Sequence, residues 1–564
     1  MLSRRYALLS LLLGLVLLVL SPTVPAAGVR PPPPHAQNAS RGLFPLVTWL
    51  RDNVVEMVFG RPASAKRKSA PPRGMGALNP RYDKETVIRF NVSSHDEEGA
   101  LADAADRLFL DVWASTRNNV DIRLHKKDVS SLLSLLPASL QSAFSTLIPD
   151  LPAAVLATYG GGRATPDAAR DGGSASARLD SDRRLAPSVL THTTGFDNVF
   201  FHDYQPLTVI YHWMRLVASM FPGIVTLEVI GKSFEGREIL ALRVGKPAPP
   251  GSENATPKKT LVVNGGLHAR EWIGTAAVNY LAWSLISSYG QDSVLTRFLD
   301  NYTAVFIPVL NPDGYEYTWA VDRLWRKTRQ DTPLSFCRGL DLDRAFGFEW
   351  DRNLPEPCSE SYGGEQPFQA VEARQLSDWA KSQAEQNGTN FVGLIDLHSF
   401  SQEILYPYSY TCDSEPPNLE NLEELAIGIA KAVRLSSGEL YNVFSACQGA
   451  MGSLRGSSVR RMESGGGSAI DWFYHEMRAK FSYQIKLRDR GIYGFLLPPE
   501  EIVPTGEEMF HALKYYADFL LGNNGIEKSV DGKTAETSAP LAASVDDEDE
   551  ADEWEELRKR RRRR

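Results

Sequence analysis

His268 and Glu271 stand three residues apart, directly after the apolar run Leu261–Gly265 and a second glycine, Gly266. An imidazole and a carboxylate at that spacing, just past a buried strand, can close on one metal ion but need a further ligand from elsewhere in the chain. His398, which follows the strand-like run Phe391–Leu397, is the candidate. Two histidines and a glutamate with a fourth position left open form a catalytic rather than a structural pattern of zinc coordination. A match as short as His-Ala-Arg-Glu arises by chance, so the surroundings must decide its meaning.

The elements that must hold these residues show as alternating apolar runs. Strands are expected at Val225–Ile230, Glu238–Val244, Leu261–Gly265, Ala304–Leu310, Phe391–Leu397, Val443–Ala446 and Phe481–Leu487. Helices are expected at Thr275–Ser288, Ala370–Gln386, Asn421–Val433 and Glu507–Leu521. This interleaving predicts an α/β domain, an open sheet with helices on both faces. Such sheets place ligands beyond the carboxyl ends of their strands, where His268 and His398 fall.

Over roughly Phe201–Gly522 the chain resembles the zinc carboxypeptidases of the A and B type. Besides Gly265-Gly-Leu-His-Ala-Arg-Glu-Trp-Ile273, the resemblance runs through Asn311-Pro-Asp-Gly-Tyr315, Leu324-Trp-Arg-Lys-Thr-Arg329 and Gly339-Leu-Asp-Leu-Asp-Arg344. It continues in Leu397-His-Ser-Phe-Ser-Gln402, Leu405-Tyr-Pro-Tyr408, Ala469-Ile-Asp-Trp472 and Leu487-Arg-Asp-Arg-Gly-Ile-Tyr-Gly-Phe-Leu-Leu-Pro498. It implies a mixed, mainly parallel twisted sheet and one Zn²⁺ per chain on His268, Glu271 and His398. It further implies Arg270 and Arg326 beside a scissile carbonyl, and Arg344 with Asp343 at the clamp for a peptide's terminal carboxylate. Ser399 and Phe400 fall at the site, and Ile470 on the floor of a side-chain pocket suited to hydrophobic C-terminal residues. Guanidinium suits the clamp because it grips a carboxylate through two parallel hydrogen bonds. Of the four cysteines, the resemblance implies Cys337 with Cys358, which leaves Cys412 with Cys447.

The chain departs from that family where the reaction needs a base. In the family, zinc polarises the carbonyl while a glutamate immediately before Leu-Arg-Asp takes a proton from water. Here Lys486 precedes Leu487-Arg-Asp. An ammonium has three donors and no acceptor, so it cannot take that proton, and general-base help is worth about 10²- to 10⁴-fold. Asp343 replaces a neutral amide at the carboxylate clamp, Phe400 replaces a frequent tyrosine, and no tyrosine lies between Met451 and Trp472, where Glu463 falls near the expected place. Intact ligands with a lost base resemble the fungal inactive metallocarboxypeptidase-like proteins, secreted or vacuolar glycoproteins linked to cell-wall organisation.

The 564-residue chain is 43% apolar and 23% charged, the balance of a globular protein of more than one domain. A net charge of -8 gives no support to nucleic-acid binding. Residues 1–27 read as a signal peptide, with Arg4-Arg5, an apolar run from Tyr6 to Leu20 that is short for a membrane span, and small residues at Val24-Pro-Ala-Ala27. Residues 28–81, rich in Pro, Ser and Arg, form a disordered lead-in. From 82 to 156, strands at Thr86–Val92 and Val120–Leu124 and helices at Glu97–Val112 and Lys127–Leu136 make a small α+β unit whose place resembles a procarboxypeptidase activation segment. Residues 157–200 are a linker with a processing point near Arg183-Arg184, 201–522 the main domain, and 523–564 a disordered acidic then basic tail. Secretion makes disulfides available, and sequons stand at Asn38, Asn91, Asn254, Asn301 and Asn387.

Two functions are compatible with these residues. One is a secreted zinc-binding pseudoenzyme whose arginines still hold a peptide C-terminus or another anionic ligand. The other is an A-type carboxypeptidase working by a modified mechanism, with Lys486 neutral through desolvation and proximity to Zn²⁺, or with Glu463 swinging in.

Overall fold

The computed structural model describes residues 81–116, 118–159, 198–247, 259–351, 356–449 and 465–522. The signal segment, the lead-in up to residue 80, Arg183-Arg184, the charged tail, Asn38, Asn254 and Glu463 lie outside the described residues.

The first part is a four-stranded antiparallel sheet of order β2-β3-β1-β4 with helices packed on it. In chain order it comprises β1 (Glu85–Asn91), α1 (His95–Leu108), β2 (Asp111–Ser115), β3 (Asn119–His125), α2 (Val129–Leu135), β4 (Phe144–Ile148) and α3 (Leu151–Ala157). Ser94 caps α1 by accepting from the Glu97 N–H, and three acidic residues in the first turn suit the helix dipole. The sequence predicts that this helix continues to Val112, but it stops at Leu108. Phe109 turns left-handed (φ 50°), and Asp111–Ser115 becomes an edge strand paired with β3. An apolar stretch beside a helix reads as more helix until the partner strand is known. This edge strand reaches the site.

The main part contains α4 (Leu207–Met220), β5 (Val225–Lys232), β6 (Glu238–Val244), β7 (Lys259–Gly265), α5 (Trp272–Ser288), α6 (Ser293–Asn301), β8 (Tyr302–Ile307) and α7 (Pro312–Ala320). It continues with α8 (Val371–Asn387), β9 (Phe391–Ser399), β10 (Glu403–Tyr406), α9 (Leu419–Ser437), β11 (Asn442–Ser445), α10 (Ala446–Gly449), α11 (Ala469–His475), β12 (Tyr483–Leu487) and α12 (Ile502–Leu520). The strand order is β11-β10-β12-β9-β7-β8-β6-β5. The centre β12-β9-β7-β8 and the edge pair β10-β11 are parallel, while β10 against β12, β6 against β8 and β5 against β6 are antiparallel. The sheet is thus mixed and mainly parallel, as expected. Thr260–Gly265 is buried throughout, which is why β7 shows no alternation: a central parallel strand is covered on both faces. Trp379 of α8 and Phe473 of α11 meet Phe391 on one face of β9, and α12 brings Tyr516 against Gly393 on the other.

Among the described residues, no helix is long and apolar enough to cross a membrane. Both disulfides, Cys337–Cys358 and Cys412–Cys447, are formed. Asn91, Asn301 and Asn387 are exposed.

Candidate metal centre

The turn after β7 requires its two glycines. At Gly265 a Cβ would lie 2.8 Å from Val278, and Gly266 has φ +62° with a would-be Cβ 2.9 Å from the Pro308 carbonyl. The chain can therefore double back under α5 and present His268. Asn311 clamps the result, its Nδ2 donating to the Leu267 and Lys327 carbonyls, so that the loops carrying His268 and Arg326 are fastened together. Glu271 stands at the N-cap of α5 but makes no capping bond; its carboxylate is used elsewhere.

His268, Glu271 and His398 are all buried, and one ligand atom from each lies within 4.8 Å of the others. His268 Nδ1 is 2.8 Å from Glu271 Oε1, and His398 Nδ1 is 3.2 Å from both His268 Nδ1 and Glu271 Oε2. The outer nitrogens are held by carboxylates: His268 Nε2 by Asp341 at 3.0 Å, and His398 Nε2 by Asp396 at 3.0 Å. Protons on those outer nitrogens turn two Nδ1 lone pairs and a carboxylate toward one point, an arrangement that only a cation relieves. Tetrahedral zinc with bonds of about 2.0–2.1 Å separates its ligand atoms by about 3.3 Å, so the set fits that ion. Burial opposes the charge on Glu271, yet the two imidazoles hold its carboxyl well below the usual range. Burial likewise raises Asp341, which Arg326 and His268 overcome to hold it low.

Asp341 and Asp396 are missing from the residues picked out as ligands or substrate contacts. Asp396 was findable, because it precedes His398 by two and so shares its face of β9. Asp341 sits inside the motif that supplies Asp343, with no local sign that it turns toward His268.

Beside the centre runs a cavity lined by Arg326, Asp343, Ser399, Phe400, Gln484 and Lys486, among others. Ile470 is buried and absent from that lining, as are Arg270 and Arg344. Lys486 is the parallel register partner of His398 and the antiparallel partner of Glu403, whose Oε2 lies 3.8 Å from Nζ. Arg270 faces the first sheet: its Nη1 donates to both carboxylate oxygens of Asp111, at 2.8 and 3.0 Å, while its guanidinium lies over Phe495. Trp113, also on β2, packs on Phe400 and Phe495 and walls the cavity. Tyr82 to Asp322 (2.6 Å), Tyr159 to the Thr318 carbonyl (2.9 Å) and Arg323 to Thr158 (3.1 Å) join the two parts further.

An open α/β sheet carrying a His-Glu-His centre at its carboxyl edge defines a metallopeptidase-type domain. Residues 210–512 match the zinc carboxypeptidase family, and the chain belongs to it. It is 50% identical over 549 residues to a Sclerotinia sclerotiorum protein called inactive metallocarboxypeptidase ecm14, covering 93% of this chain and 91% of that one. A Paracoccidioides brasiliensis protein of the same name is 48% identical over 554 residues, covering 94% and 90%. Among solved structures, thrombin activatable fibrinolysis inhibitor is similar with a TM-score of 0.61 and 25% identity, over 78% of this chain and all of that one. Carboxypeptidase A of Helicoverpa armigera matches in fold with the same TM-score at 24% identity, over 78% and 98%.

Proposed function

We propose that this protein is a zinc-holding pseudoenzyme, a carboxypeptidase-like chain that binds rather than cleaves. One observation carries it: Lys486, next to His398 in register, lines the same cavity as the candidate ligands, and the resemblance makes this the position of the family's base. A bound zinc ion supplies Lewis acidity toward a carbonyl. Lys486 offers donors only, so it supplies no acceptor for water's proton at that place. Relatives called inactive at about half identity support the same reading.

The bound partner is proposed to be a peptide tail or a related small group, held by Arg326 and the neighbouring cavity. Arg270 is engaged by Asp111, so residues 82–156 act as a cover of the activation-segment kind. Secretion, glycosylation at the exposed sequons, passage to a vacuole and a role in cell-wall organisation belong to the proposal through resemblance. The rival reading, a working A-type enzyme with neutral Lys486, is disfavoured by the Glu403 carboxylate 3.8 Å from its ammonium.

The test combines metal analysis with a cleavage assay, on the intact chain and on protein cut near Arg184. One zinc per chain with no release of C-terminal residues is expected. Turnover by the cut protein would overturn the proposal.

A further inference from the structure

Three residues that line the cavity each carry a buried polar atom without a hydrogen-bond partner among the described residues: Asp343 Oδ1, Ser399 Oγ and Arg326 Nε. Asp343 is more than nine-tenths buried. Its other oxygen, Oδ2, accepts from Gln484 Nε2 at 3.1 Å, so the contact that steadies this carboxylate is a neutral amide. The guanidinium of Arg326, by contrast, already holds Asp341 through Nη2 at 3.0 Å, and Lys486 has Glu403 beside it. An unpaired buried acceptor is destabilising until a donor reaches it.

The three atoms together ask for a particular complement. Asp343 Oδ1 accepts only, Arg326 Nε donates only, and the Ser399 hydroxyl does either. A carboxylate has no proton for Asp343 and brings a second negative charge to it. An ammonium satisfies Asp343 but has no acceptor for Arg326 and is repelled by Arg326 and Lys486. A primary carboxamide matches both ends: its NH₂ donates to Asp343 and its carbonyl accepts from Arg326. The size agrees, since the cavity of about 50 Å³ holds about three or four waters, or one such group.

We propose that this cavity selects a primary carboxamide, as at an amidated peptide end, over the free carboxylate of an ordinary C-terminus. The selection rests on the site being one that binds rather than cleaves. The zinc-loaded full chain is titrated with N-acetylglycinamide and N-acetylglycine, followed by ligand-observed NMR. The amide should bind at least tenfold tighter, and Asp343→Asn, which restores a donor, should erase or reverse that ratio. An end-blocked glutamine dipeptide tells the two sources of a carboxamide apart: binding as tight as that of the amide supports the same selectivity with a side chain as source, while weaker binding supports a chain end.

The selectivity is overturned if the wild-type chain binds the acid equally or better, if neither probe binds, or if Asp343→Asn leaves the ratio unchanged. The wild-type ratio decides alone if that variant does not fold. Release of phenylalanine from benzoylglycyl-phenylalanine by the same preparation would instead sink the pseudoenzyme proposal, whatever the ratio.

Discussion

Lys486 and His398 are direct neighbours on adjacent parallel strands, so their side chains leave the same face of the sheet. An ammonium is thereby built in beside a buried imidazole of the candidate metal centre. Glu403, on the other side of Lys486 in register, is the countercharge that makes this tolerable.

Replacing Lys486 tests that arrangement directly. Lys486→Glu returns an acceptor to the site, and C-terminal cleavage should rise from none to a measurable rate in protein cut near Arg184, within the 10²- to 10⁴-fold worth of a general base. The same change sets two carboxylates against each other at Glu403. The melting temperature should fall, and adding Glu403→Gln should recover most of the loss.

The outer carboxylates should govern metal affinity without touching the ion. Asp396 orients His398, and partners of this kind are worth about 10- to 100-fold in affinity. Asp396→Ala should raise the zinc dissociation constant by that factor in a chelator competition, whereas His398→Ala should abolish stoichiometric binding.

The first sheet is tied to the main part at Arg270, a guanidinium with 1% of its surface exposed. Asp111→Ala leaves it buried without its carboxylate, at a cost of about 3–5 kcal/mol. The urea midpoint of the full chain should drop, and hydrogen exchange across Asp111–Ser115 should speed up. Glu85→Ala, which removes a partner of Arg123 at a less buried place, should cost much less.

Glu372, in the first turn of α8, should make stability pH-dependent. Burial pushes its carboxyl up from 4.5 to about 7, Asp313 and Glu235 add to this, and only backbone donors such as the Phe234 N–H oppose it. The folded chain therefore keeps a proton that the unfolded chain loses. Stability from this group is full below about pH 4.5 and declines as pH rises to about 7. Glu372→Gln should flatten the profile of melting temperature between those limits. Above pH 7 the variant should be the more stable by up to about 3 kcal/mol.

Much of the centre was legible in the amino-acid order because it is local. Gly265-Gly266 before His268, a ligand three residues on, and a histidine at the end of a second apolar run are statements about backbone geometry at short range. Lys486 was readable through the family resemblance, because it stands directly before Leu487-Arg-Asp. The central strands could be placed because β7 and β9 are apolar runs too short for helices.

The partners reached across the fold were not legible. Asp111 meets Arg270 from a segment whose own pattern reads as the end of a helix, and Glu403 lies in a four-residue strand too short to show a period. Ile470 matched a pocket floor by motif, yet the cavity is walled by Asp343, Gln484 and Trp113. Sequence alone, read with the family resemblance, pointed to the candidate metal ligands and to Lys486 at the position of the base. Only the tertiary structure decided what covers the site and which polar atoms stay unpaired within it, because those depend on how two sheets pack, and packing between distant segments leaves no periodic trace in either.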